Sequence, residues 1–182
     1  LAVLWTGDGR MVTATLVYGL SLLAMLSCSA LYNMVHRPEL KDRLRRIDQS
    51  AIYLKIAGTY TPFAALAGSS AAMFLAGIWS AAMAGAAMIL FGSERLRRPS
   101  LVLYLAIGWA GLVAGQPLFA ALNPDTVTLI VTGGCLYTAG VVFFLMERMP
   151  FHYTIWHIFV LVATGVLYSA VLVEISHRAL PV

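Results

Sequence analysis

The chain has 182 residues, of which 60% are hydrophobic and 11% charged, and its mean hydropathy is +0.84. That balance excludes a water-soluble domain, which needs far more charged surface, and points to an integral membrane protein. The formal net charge of +4 is not a nucleic-acid signature, because the cations cluster in short segments between apolar runs, where orientation signals and anionic headgroups account for them.

The apolar runs are about twenty residues long, the length of helix that crosses a hydrocarbon core of roughly 30 Å. They are continuous rather than alternating, which argues for helices and against a β-barrel. The opening LAVLW (1–5) reads as the end of a preceding membrane helix, closed by the turn TGDG, and has neither the charged start nor the length of a signal peptide. The first complete span is placed at 11–36 and ends before Pro38. The second, 49–68, contains Gly58 and Pro62 as expected kink points.

The third span, 70–92, is rich in Ala, Gly and Met, which suits close helix packing. The fourth starts at Pro99 and runs to 121, with GQP expected to bend it. The fifth, 125–147, follows NPD and takes Asp125 or Thr126 as its cap. The sixth covers 153–176. Together they predict an all-α seven-transmembrane-helix bundle, six helices complete and the first represented by its end, forming a single domain over 1–182. Cys28 and Cys135 fall inside spans without metal or disulfide spacing and read as small core residues.

The charged segments orient the bundle. Arg37, Lys41, Arg43, Arg45 and Arg46 lie in 37–48, Arg95, Arg97 and Arg98 in 93–98, and Arg148 in the turn 147–152. Those nine cations share one side, against Arg10 and Arg178 on the other. The positive-inside rule places the nine in the cytoplasm, the N-terminus inside and the C-terminus outside. The Arg-rich segment reads first as this topology signal and second as a lipid-binding surface. Lys55, inside a span, must snorkel or face a polar interior.

With that orientation, polar groups from three helices reach similar depth. Asn33 stands near the cytoplasmic end of the first complete helix with Ser29 one turn deeper; Asp48 opens the next helix; His152, Tyr153 and His157 open the last. Imidazole, carboxylate, amide, hydroxyl and phenol can together hold a metal or move a proton. Each also has an ordinary reading. Asp48, followed by Gln49 and Ser50, has the form of a helix cap. His157 suits an interfacial aromatic belt, and Asn33 a hydrogen bond between helices. His36 and His177 read as interfacial and tail residues, Tyr32, Tyr53, Tyr60, Trp79, Trp109 and Trp156 as packing or interface anchors, and Glu174 as a wet, structural carboxylate.

The segments SALYN…LRRIDQSAIYLKIAGTYTPF, LYLAIGWAGL and GGCLYTAGVVFFLMERMPFHYTIWHIFVL resemble the bacterial hemolysin III family, related to the adiponectin and progestin receptors. The resemblance covers about 10–176, and IDQSAIYLKIAGTYTPF is its most specific part. It implies a seven-helix protein of the bacterial inner membrane with zinc near the cytoplasmic face. The zinc would be held by a His in an SxxxH element and both His of an HxxxH element, beside an Asp that supports a zinc-bound water. Such equipment is that of an amidase acting on ceramide-type lipids.

Here SxxxH reads Ser29-xxx-Asn33 and HxxxH reads Tyr153-xxx-His157. His152 is displaced by one residue, about 100° around the helix. A later family His is replaced within Leu167-Tyr168, while Ser29 and Asp48 remain. The depleted ligand set argues against a bound cofactor, zinc being the metal the pattern would still take through His157, Asn33, Tyr153 or His152. Three roles follow: a non-catalytic or accessory membrane subunit pinned by an Asn33–Asp48–Tyr153–His157 network; a zinc-dependent lipid hydrolase with Asp48 as base, His157 as ligand or shuttle, and Ser29 with Asn33 orienting; or a receptor or cytolytic pore. Expected partners are membrane lipids and other integral membrane subunits, not nucleic acid.

Overall fold

A computed structural model describes residues 9–146 and 148–179; the expected helix end at 1–5 and the turn after it lie outside them. Among the described residues every regular element is helical: α1 (Gly9–Met34), α2 (Pro38–Ala67), α3 (Ala72–Phe91), α4 (Arg97–Ala114), the short α5 (Gln116–Ala120), α6 (Pro124–Leu145) and α7 (His152–Ala179), with 3₁₀ turns at Gly68–Ala71 and Glu94–Leu96. Four of them, α1, α3, α6 and α7, are long and apolar enough to cross a membrane by length and composition. The helices fall into two compact units, α1 to α5 in one and α6 with α7 in the other.

In the first unit α2 is central and touches each of the other four helices. Its buried residues from Ser50 to Ala64 surround the helix rather than forming a stripe. On α1 the buried positions Met11, Ala14, Tyr18, Ser21 and Met25 alternate three- and four-residue steps, the seam of a helix packed on one neighbour. Close approach rests on glycines, as lipid-embedded packing favours. A Cβ on Gly58 would strike the Ser21 side chain, and one on Gly85 of α3 would strike the Tyr53 ring. Tyr53 and Tyr60, two turns apart on α2, both reach the backbone of α4. The Tyr53 hydroxyl donates to Ser100 O. The Tyr60 hydroxyl donates to Gly108 O at 2.7 Å and accepts from Gly111 N at 3.0 Å, so a side chain enters the helical ladder of α4.

Several expectations change here. The segment 37–48 is not a loop: Pro38 occupies the first helical position after an extended Arg37, and α2 runs unbroken for 30 residues. At 1.5 Å per residue that is about 45 Å, longer than a hydrocarbon core of roughly 30 Å. Asp48 is therefore an interior helical residue and not a cap. Two cations of the extension hold neighbouring helix ends. Lys41 Nζ donates to Tyr32 O and Val35 O at the end of α1 and stands 4.3 Å from the Tyr32 ring centroid. Arg46 Nη1 donates to Ile89 O (3.2 Å) and Gly92 O (2.7 Å) at the end of α3. Cations at helix C-termini answer both the unpaired carbonyls and the helix dipole. Lys55 is buried, 2% exposed. The GQP interruption is a full break: α4 ends at Ala114 and Gly115 separates it from α5.

In the second unit α6 and α7 form an antiparallel pair, with Gly133 against Leu167, Gly140 against Trp156 and Phe159, and a hydrogen bond between the Tyr137 and Thr164 hydroxyls. The α6 cap is Asn123, whose Oδ1 accepts from Asp125 N at 2.9 Å, so neither Asp125 nor Thr126 is the cap. Cys135 faces outward, not into the core, and Cys28 is half-buried. Glu174 is not wet. It is 2% exposed, accepts from Asn123 N (3.1 Å) and Arg178 Nε (3.0 Å), and Arg178 also donates to Ala121 O (2.7 Å).

That clasp ties α7 to the turn before α6 through charge-assisted bonds. Glu174→Ala is expected to cost about 2 kcal/mol in thermal unfolding of detergent-solubilised protein. Glu174→Gln, which keeps an acceptor for Asn123 N, should cost clearly less. Equal losses would show that a neutral acceptor for Asn123 N contributes nothing and that the clasp rests on the charge alone.

Candidate functional site

The predicted site residues divide between the two units: Ser29, Asn33 and Asp48 on α1 and α2, and His152, Tyr153 and His157 on α7. In the first set the hairpin register comes from Gly58 lying against Ser21. Ten residues earlier on α2 is Asp48, and ten later on α1 is Leu31, between Ser29 and Asn33. Antiparallel helices with equal rise thus bring Asp48 level with the Ser29–Asn33 turn. Asn33 Nδ2 donates to Ser29 O at 2.8 Å within its own helix. Asp48 is also within electrostatic reach of Cys28 on α1, a thiol the spacing did not single out. α1 ends at Met34, two residues short of the expected 36, so His36 lies past the helix with Nδ1 2.8 Å from Met34 O.

In the second set α7 begins at His152, after a turn in which Phe151 adopts φ = 61°. A bulky residue in that left-handed region costs about 1–2 kcal/mol, which the ordered start of α7 must offset. His157 Nδ1 lies 2.7 Å from Tyr153 O, and His152 Nδ1 lies 3.2 Å from Met149 O. A carbonyl only accepts, so Nδ1 is the donor in each contact, which in a neutral ring leaves the lone pair on Nε2. The Tyr153 ring stands between the imidazoles, 5.8 Å from His152 and 5.2 Å from His157 by centroids, and 5.8 Å from Phe144. Phe144 and Trp156 extend this aromatic cluster at 5.5 Å.

The first set thus supplies a carboxylate, an amide, a hydroxyl and a thiol, and the second two oriented imidazoles and a phenol. Lys41 and Arg46, read from sequence as topology signals, also have helix-capping roles. Their spacing of five residues on one helix was the available signal, visible only once 37–48 is helical.

Long apolar helices joined by basic segments, with polar side chains set inside them, define a multi-pass helical membrane protein. The chain belongs to the haemolysin III family: the family described as Haemolysin-III related matches residues 1–168. It is 38% identical to Hemolysin-3 of Bacillus cereus over 168 residues, covering 91% of this chain and 77% of that protein. It is 36% identical to the Hemolysin-3 homolog of Bacillus subtilis, covering 91% and 79%. The human Monocyte to macrophage differentiation factor is 29% identical over 163 residues, covering 85% and 67%. No solved structure matches.

Proposed function

We propose that this chain is an accessory, non-catalytic subunit of the bacterial inner membrane, in which the family's cytoplasmic-side metal site has become a hydrogen-bonded anchor. The observation that carries this reading is Asn33. It stands where the resemblance implies the first imidazole, and its amide nitrogen is bonded to Ser29 O in its own helix. Across the three implied ligand positions stand an amide, a phenol and one imidazole, Asn33, Tyr153 and His157. Catalytic zinc takes three protein ligands drawn from His, Cys and carboxylate, and neutral amides and phenols are poor substitutes. The residues present do not fit the metal.

They suit polar anchoring within each unit instead: Asp48 accepts and Asn33 donates and accepts in the first, and the imidazole and phenol of His157 and Tyr153 offer both in the second. The proposed topology has the nine clustered cations in the cytoplasm and residue 176 outside, within the seven-span arrangement implied for the family.

A second reading has two observations in its favour. Asp48 lies inside α2 rather than at its cap, and His157 Nδ1 faces the Tyr153 carbonyl, the arrangement in which metal-binding His present Nε2 to the metal. That reading is a lipid amide hydrolase using Asp48 and His157. Purified protein in lipid nanodiscs containing a ceramide-type N-acyl lipid separates the two. We expect no turnover above protein-free discs and no change in Asp48→Ala or His157→Ala. Turnover abolished by Asp48→Ala would overturn the accessory reading.

A further inference from the structure

Where the charged start of α2 passes the end of α3, the structure has a cleft. Arg45, Arg46, Gln49 and Ser93 give it a polar wall, and Met88 and Ile89 an apolar floor. We infer that this cleft binds the phosphate of an anionic phospholipid headgroup, through Arg45 and Arg46 with Gln49 and Ser93 as hydrogen-bond partners.

Position argues for a lipid. The cleft lies where the apolar α3 ends at Phe91 and where the charged extension of α2 leaves the hydrocarbon. Below the basic wall the surface turns apolar and outward-facing: Phe91 is 86% exposed, and Ile47 and Leu90 are exposed beside it. A headgroup phosphate in the cleft would leave its acyl chains against those side chains, an arrangement that free phosphate does not need. Chemistry argues for an anion. Guanidinium offers planar paired donors that match phosphate, and the described lining residues include no carboxylate. The segments 37–48 and 93–98 that meet there carry eight Lys and Arg against four Asp and Glu.

Geometry adds preorganisation. Arg46 is held by Ile89 O and Gly92 O, so its guanidinium is set in place before any ligand arrives. Arg45 pairs with Asp42 at 3.2 Å, but Asp42 is 85% exposed, and a surface pair of that kind exchanges readily for a better-placed anion.

The test uses the whole chain, reconstituted in vesicles of equal parts phosphatidylglycerol and phosphatidylcholine, extracted into mild detergent and weighed with its retained lipid by native mass spectrometry. The protein should retain phosphatidylglycerol in preference to phosphatidylcholine. Arg45→Gln should lower that preference about fivefold, the factor for one basic residue near an anionic surface. Ser93→Glu, at an exposed position that does not threaten folding, should lower it as well. Arg43→Gln, exposed on the same helix and outside the cleft, should leave it unchanged.

No preference in the wild-type protein would overturn the inference. So would an equal loss in Arg43→Gln, which would assign the effect to diffuse surface charge. Displacement of the retained lipid by millimolar inorganic phosphate would also overturn it, making the cleft a site for the soluble anion.

Discussion

Gly85→Val is expected to destabilise the protein by about 3 kcal/mol, the upper end of the range for overpacking a close-packed interior. The reason is the partner rather than the helix. Any Cβ at position 85 lands on the Tyr53 ring. Tyr53 has no room to retreat: it is fully buried, its hydroxyl is bonded to Ser100 O, and its ring packs edge-on to Tyr104 at 6.1 Å. Relief would therefore pull α2, α3 and α4 apart at once. Gly77, on the same helix, has nothing within 4 Å of its would-be Cβ, so Gly77→Ala should be neutral or slightly stabilising through helix propensity alone. Thermal unfolding of both variants in detergent makes the comparison. Similar behaviour of the two would show that the Tyr53–Gly85 contact does not organise the unit.

The second large effect is a gain. Asn33→His combined with Tyr153→His restores imidazoles at both altered ligand positions, and zinc affinity should rise by at least about a hundredfold, since even supporting partners of a metal site are worth tenfold or more. The change at Tyr153 leaves the main-chain carbonyl that holds His157 Nδ1, and residues 153 and 157 share one helical face. Neither substitution alone should reach that gain, because two protein ligands hold zinc poorly. Competition against a fluorescent zinc chelator reads the affinity. An unchanged value in the double variant would mean that imidazoles at these two positions do not rebuild a zinc site.

Much of the fold is written in the hydropathy. The apolar runs locate α1, α3, α6 and α7, and the Gly-Gln-Pro interruption marks the break after α4. What hydropathy misses is charged helix, because it reports the solvent a segment prefers and not its backbone. PELKDRLRRID therefore read as a loop, and Asp48 as a cap, although Pro38 was already a first-turn signal ten residues upstream. At α6 three neighbouring residues can each cap, and the choice of Asn123 depends on a side-chain hydrogen bond that no spacing rule selects. Glu174 read as wet because the Asn123 N–H that satisfies it lies 51 residues away. Of the candidate site, the residue types and the level of Asp48 beside Ser29 and Asn33 were legible from helix periods. The orientation of His157 was not, because it rests on the Tyr153 carbonyl.

The proposed function requires that the residues at the implied ligand positions no longer hold zinc. Elemental analysis of the wild-type protein, purified without chelator and then incubated with a small excess of zinc before desalting, tests it most directly. Far less than one zinc per chain is expected, unchanged by His157→Ala, beside near-stoichiometric zinc in the Asn33→His and Tyr153→His double variant. One zinc per wild-type chain, lost in His157→Ala or Asp48→Ala, would contradict it.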